Sequence, residues 1–258
     1  MSPTALLLAF GALVLAGVLL SIELGRRLRC RDDRRSSGRT AEGIGALEGA
    51  LFALLGLLIA FTFAGAADRF DGRRHLVVDE ANAIGTAYLR LDLLPAPERV
   101  ALKEELRRYL DARLAAYRAL PDTVAAFRYL EVASDARIAI WNRAVAASQA
   151  ASTPMTGQLL LPALNEMFDL ATTRTAAAHL HPPIVIFVML VALALACSVL
   201  AGYGMGANDR RNWLHPVVFA LVLTLTVYVI VDMEYPRLGF IRVDAFDRVL
   251  VEVRNEMR

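Results

Sequence analysis

Cysteine is almost missing from this chain, and the two that occur lie far apart. Cys30 falls in a basic stretch and Cys197 inside an apolar run, which leaves neither a disulfide framework nor a thiolate metal site. Also missing are a Gly-rich phosphate loop, a nucleophile elbow, an HExxH motif and any histidine close in sequence to a plausible nucleophile. The expectation is a protein that is not an enzyme and needs no cofactor or metal. Strand-like alternation, internal repeats and low-complexity linkers are absent too, so the regular structure is expected to be helical. Between residues 68 and 182 the charges cancel, with 14 Arg and Lys against 14 Asp and Glu. A segment with no net charge has nothing with which to attract a nucleic acid.

What is abundant is apolar side chain. At 57% hydrophobic residues, the chain carries more than a soluble domain needs for its core. Four runs, 4–22, 45–67, 183–203 and 216–231, have the length for a hydrocarbon core about 30 Å thick, which takes about 20 helical residues. The first has no basic residue before it, exceeds the usual apolar region of a secretory signal and runs directly into Glu23 and Arg26. It is expected to be an uncleaved membrane helix.

Charge gives an orientation. In the loop 26–43, Arg26, Arg27, Arg29, Arg31, Arg34, Arg35 and Arg39 outweigh Asp32, Asp33 and Glu42, and the loop 204–214 adds Arg210 and Arg211. The positive-inside rule places both loops in the cytoplasm, with the long middle region on the periplasmic side of a bacterial inner membrane. The same arginines could also meet anionic headgroups.

The middle region reads as helices throughout. The second membrane helix continues past residue 68 without a stop until Leu94-Pro95-Ala96-Pro97 breaks it, and so is expected to project beyond the bilayer. In 98–120 an apolar face is expected from Val100, Leu106, Leu110, Leu114 and Tyr117. Asp122 is a candidate N-cap for a helix running to about Ala150, and another follows over 156–181. The fold class is therefore all-α: four transmembrane helices as two hairpins, joined by an extramembrane helical bundle. Its segments are a first hairpin 1–67, a helical domain 68–182, a second hairpin 183–232 and a tail 233–258.

Four blocks in order, EANAIGTAYLRLDLLP (80–95), LNEMFDLATTR (164–174) with HLHPP after it, LAGYGMG (200–206) and DMEYPRLGFIRVD (232–244), resemble the bestrophin-like family of bacterial membrane proteins. That family was long catalogued as a domain of unknown function. The likeness covers residues 43–257. True bestrophins are pentameric anion channels whose second membrane helix lines the pore and forms an apolar neck. The resemblance thus implies a homo-oligomer, five-membered if the likeness is complete, working among membrane lipids and passing ions. It also implies a middle region in the cytosol, against the arginine distribution.

Within the second membrane helix, Gly45, Gly49, Ala53, Gly56, Ala60, Ala64 and Ala67 leave one face almost without side chains, a pattern whose usual role is close helix packing. On other faces Leu55, Ile59 and Phe63, at i, i+4 and i+8, are pore-lining candidates able to gate by dewetting. Glu48, Asp68, Asp232 and Glu234 are candidates for charged pore mouths. Each has a plainer alternative: Glu48 snorkels, Asp68 pairs with Arg69, Arg73 or Arg74, and Asp232 and Glu234 lock the tail with Arg237. Asp79, Glu80 and Asn82 are expected to hydrogen-bond between helices rather than bind a metal. His181 is expected to make a junctional contact. Two functions stay open, an oligomeric channel and a non-conducting membrane sensor or scaffold acting through its middle domain. An uncovered apolar stripe along 76–94 would favour oligomerisation, and a covered one the scaffold.

Overall fold

The computed structural model describes residues 3–35, 44–205, 213–237, 239–243 and 247–257. Arg39, Glu42, Arg210, Arg211 and Asp244 lie outside the described residues. Among the described residues eight α-helices follow one another: α1 Pro3–Arg35, α2 Ile44–Arg90, α3 Ala96–Ala119, α4 Thr123–Ala150, α5 Pro154–His179, α6 Ile184–Met205, α7 Leu214–Glu234 and α8 Asp247–Glu256. A 3₁₀ turn, Leu91–Leu93, follows α2. No strand occurs among the described residues. Four stretches, Thr4–Asp33, Gly45–Leu93, Pro154–Met205 and Leu214–Glu234, contain a span long and apolar enough to cross a membrane.

The chain forms two units. The first combines Met1–Arg69 with His181–Ile241, and the second Phe70–Leu180 with Arg242–Arg258. The tail is thus divided between them.

In the first unit, α1 packs closely against α6 and α7. Val18, Leu190, Cys197, Ala220 and Ile230 form the centre of its core. Glycine sets the spacing along α1: a Cβ at Gly11 would lie 3.1 Å from the Tyr228 ring, one at Gly17 3.2 Å from Leu195, and one at Gly25 only 1.9 Å from the Val199 carbonyl oxygen. Gly202 answers from α6, where a Cβ would lie 2.0 Å from the Ile22 oxygen. At that crossing two backbones touch. The α2 helix joins the core through side chains, with Phe52 edge-on to Phe219 at 6.4 Å.

The first helix does not stop where hydropathy falls at Ile22. Residues 26–35, expected as part of a loop, are helical. Glu23 accepts from Arg26 at 3.0 Å and from Arg27 at 2.9 Å, and Arg29 reaches Asp33 at 3.1 Å. Such i,i+3 and i,i+4 pairs each add only about 0.3–0.5 kcal/mol, but several in succession carry a helix onward.

The second unit is a bundle of α3, α4, α5 and α8 with the second half of α2. Its core holds Ile84, Leu91, Leu102, Leu106, Leu110, Ile140, Leu164, Met167 and Leu250. The break before α3 falls at Pro95, with Leu94 already extended. Asp122 caps α4, its carboxylate accepting from the Ala125 N–H at 3.1 Å. Val100, expected inside, is 65% exposed, and Leu102 is fully buried in its place. The core-facing stripe of α3 is Leu102, Leu106, Tyr109, Leu110, Arg113 and Leu114.

Candidate functional site

The α2 helix is unbroken for 47 residues, about 70 Å at 1.5 Å per residue. Its small-residue face is not used for packing within the subunit. Gly45, Gly49 and Gly56 have nothing within 4 Å of where a Cβ would stand, and Ala53, Ala60 and Ala64 are exposed. Close packing belongs instead to the glycines of α1 and to Gly202. Further along α2, Val77, Ala81, Ile84, Ala87 and Tyr88 are covered by their own unit. Val78, Leu89 and Leu93 stay exposed there among polar neighbours such as His75, Asp79, Asn82 and Thr86. No continuous apolar stripe remains on that stretch, the outcome that by itself favours the scaffold; on α2 an uncovered face with room for a neighbour exists only on the membrane half.

The three neck candidates do not share one environment. Leu55 is buried in the first unit's core, Ile59 packs partly against that core, and Phe63 is 43% exposed. The i, i+4, i+8 spacing drifts around the helix because 8 residues exceed two turns of 3.6. The other large apolar residues exposed on this half of α2, Leu47, Leu54, Leu57 and Phe61, lie on other faces than Phe63.

The four charged candidates separate as well. Glu48 is half-buried and Asp68 exposed. Asp232 is buried, its carboxylate accepting from the Phe240 N–H at 3.1 Å and the Ile241 N–H at 2.9 Å. It folds the tail back on the end of α7. Glu234 is fully buried and accepts from Arg69 Nε at 2.9 Å and Nη2 at 2.8 Å. His181 Nδ1 lies 3.0 Å from its other oxygen, with the ring tilted on Tyr235 at 4.6 Å. Within the subunit Asp232 and Glu234 are tail and helix-end anchors, because both carboxylates are spent on internal partners. Of the remaining charges near residue 70, Arg74 pairs with Asp71 at 2.9 Å. Arg73 donates to the carbonyls of Ala177 at 3.1 Å and Leu180 at 3.0 Å.

The second unit contains a charge cluster that sequence reading reached only through Glu80. That carboxylate is fully buried on α2 and takes two guanidiniums: Arg113 of α3 at 2.7 Å and Arg174 of α5 at 2.6 Å. Arg174 also meets Asp247 of α8 at 2.6 Å and lies over the Tyr117 ring at 3.9 Å. Arg113 donates further to the Tyr117 hydroxyl, to Thr175 Oγ1 and to the Ala171 carbonyl. Two positive and two negative charges balance, and every helix of this unit but α4 contributes. Burial works against the charge on Arg113, but Tyr117 and Glu80 outweigh it and its pKa stands above the ordinary arginine value. Arg174 is raised for the same reasons. Burial, reinforced by Glu80, pushes the Tyr117 phenol up, and burial moves Tyr109 to about 12. The arginines are therefore permanent cations and the phenols neutral, which suits a fixed joint rather than proton transfer.

Among the described residues no group of three or more His, Cys, Asp and Glu is placed to hold a metal ion. Together with four membrane-length apolar stretches, the geometry is that of a multi-pass membrane protein in which α2 leaves its small-residue face uncovered.

No curated protein sequence matches the chain. Among solved structures, a variant of a bacterial bestrophin homologue from Klebsiella pneumoniae is similar with a TM-score of 0.74 at 14% identity, over 97% of each chain. Another variant of the Klebsiella pneumoniae protein gives a TM-score of 0.71 at 14% identity, covering 95% of this chain and 98% of that one. A structure of that homologue phased on zinc gives 0.69 at 14% identity, over 94% and 98%. At such identity the likeness speaks for the fold. The model of the bestrophin-like domain matches residues 11–245, and with that match over most of its length the chain belongs to the bestrophin-like family.

Proposed function

We propose that the protein is an oligomeric ion channel, with the α2 helices of several copies arranged around a central axis and five copies as the working number. The observation that carries this reading is the uncovered small-residue face of α2: it suits either a neighbouring helix at close range or an unobstructed path. Family membership supports ion transport, with anions as the cargo of true bestrophins. One feature favours the other sign. Asp68 is exposed at the end of the membrane half of α2, and a ring of carboxylates at a mouth favours cations.

The test is flux from salt-loaded liposomes holding the purified protein, with chloride and potassium gradients run separately against empty vesicles. Selective flux supports the channel. No flux of either ion, across several pH values and voltages, overturns it in favour of a non-conducting scaffold. Phe63→Ala is expected to raise flux several-fold, because Phe63 is the neck candidate that the subunit leaves exposed. Leu55→Ala is expected to leave flux unchanged while lowering stability by about 2 kcal/mol, the low end for a buried leucine.

We also propose that the arginine-rich end of α1 faces the cytoplasm. The chain carries its own reporter, since Cys30 is exposed and Cys197 buried. A membrane-impermeant maleimide should leave the protein unlabelled in intact spheroplasts and label Cys30 after permeabilisation. Labelling of intact spheroplasts would reverse the orientation.

A further inference from the structure

The first unit has a groove of about 270 Å³ between α2 and the start of α6. Leu58, Phe61, Ile186, Phe187 and Met189 line it, and Arg69 closes the α2 side. Thr62 also borders it, but its hydroxyl donates back to the carbonyls of Leu58 at 2.8 Å and Ile59 at 3.0 Å, which removes its one polar group from the groove. Both walls belong to stretches apolar enough to cross a membrane, so the groove has the chemistry of an acyl-chain seat. The exception is Arg69.

That arginine is held in place by a neighbour. Its Nε and Nη2 grip the fully buried Glu234 at 2.9 and 2.8 Å. Its Nη1 lies over Gly65, 3.2 Å from where a Cβ would stand, and Gly65 itself lines the groove. No described residue accepts a hydrogen bond from Nη1. The Arg69 side chain is 32% exposed and that of His181, on the other side of Glu234, 28%. Arg69 and His181 thus meet on Glu234 where α2 leaves the apolar region and α6 enters it, which is headgroup level. A guanidinium with a free edge at that depth, at the end of an apolar groove, complements a phosphate attached to an acyl chain.

We propose that this groove binds one anionic phospholipid, with an acyl chain along α2 and α6 and the headgroup phosphate on Arg69 Nη1. A second copy of the chain is the weaker occupant, because an apolar helix seated there would cover the guanidinium edge without answering it.

The experiment uses the full-length protein, purified in mild detergent and stripped of lipid, with binding followed by native mass spectrometry. Phosphatidylglycerol is expected to bind roughly five-fold more tightly than phosphatidylcholine, the effect of one basic group at the membrane surface. Arg69→Gln should abolish that preference. Because this change also takes a partner from Glu234, a second variant is needed: Ile186→Trp fills the groove, keeps Arg69 on Glu234, and should reduce phosphatidylglycerol binding at unchanged melting temperature. Equal binding of the two lipids to the wild type would overturn the proposal, as would full retention of phosphatidylglycerol by Ile186→Trp. A change of oligomer size in Ile186→Trp with lipid binding intact would give the groove to a second copy. Competition by millimolar inorganic phosphate would give it to a free anion, and either result also overturns the proposal.

Discussion

Replacing Glu80 by alanine is expected to cost about 3–5 kcal/mol of stability, the usual result of removing one partner from a buried ion pair. In a chain of this size that is a fall of roughly 10 °C in melting temperature. The reason is the sharing of one carboxylate by two guanidiniums. Without it Arg174 keeps Asp247, whereas Arg113 is left with the Tyr117 hydroxyl, Thr175 Oγ1 and the Ala171 carbonyl. Those neutral acceptors satisfy its N–H groups but do not balance its charge. Glu80→Gln keeps the shape and removes the charge, so it should fall between alanine and wild type. The double variant Glu80→Ala with Arg113→Leu should be less damaged than the sum of its parts, since it removes both ends of the uncompensated pair. Melting of the detergent-solubilised protein measures all of these. Strict additivity would mean that the two side chains are not coupled.

Gly202→Val is expected to prevent the first unit from assembling, with the protein recovered as aggregate or lost to proteolysis. Even Gly202→Ala or Gly25→Ala should lower the melting temperature, by the equivalent of about 1–3 kcal/mol for overpacking. The added carbon at either position would sit about 2 Å from a backbone oxygen, of Ile22 or Val199, and a backbone cannot rotate out of the way as a side chain can. The control is built into α2: alanine at Gly49 or Gly56 meets nothing within 4 Å, so those variants should melt as wild type. If Gly49→Ala leaves the melting temperature alone but weakens the oligomer on size-exclusion chromatography, the uncovered face of α2 is where copies meet. If Gly202→Ala proves as mild as Gly49→Ala, the close approach of α1 to α6 is not what holds the unit together.

The contrast between those glycines shows where sequence reading stops. Apolar run length was sufficient for the four spans, and proline and aspartate chemistry for the break at Pro95 and the cap at Asp122, because each of these is decided within a few residues. Which small-residue face would be covered was not decided locally. The stripe on α2 is the more regular, yet it is open, while Gly11, Gly17 and Gly25 recur at intervals of six and eight and carry the contacts. The buried charges left a readable trace. Arg113 shares a face with Leu106, Leu110 and Tyr117, and Arg174 with Leu164, Met167 and Ala171, so both stand at core positions by helical period. Periodicity could not name Glu80 as their common partner, which depends on three helices meeting. Val100 failed for a simpler reason: six residues before Leu106 it stands about 120° around the helix from it, whereas Leu102, four residues before, is in phase and buried.

The charge cluster also has an order of arrival. Glu80, Arg113 and Arg174 are synthesised together, but Asp247 follows the whole second membrane hairpin, and Val243, Leu250 and Met257 of the same core come with it. Until those last residues emerge, Arg174 has only its share of Glu80, and the apolar seat of α8 on α3 stands open. Completion of the second unit must therefore wait for synthesis of α6 and α7. The nascent protein passes through a stage in which the bundle of the second unit is unfinished although α1, α2, α6 and α7 have all been synthesised, and in that interval it is most exposed to chaperones and proteases.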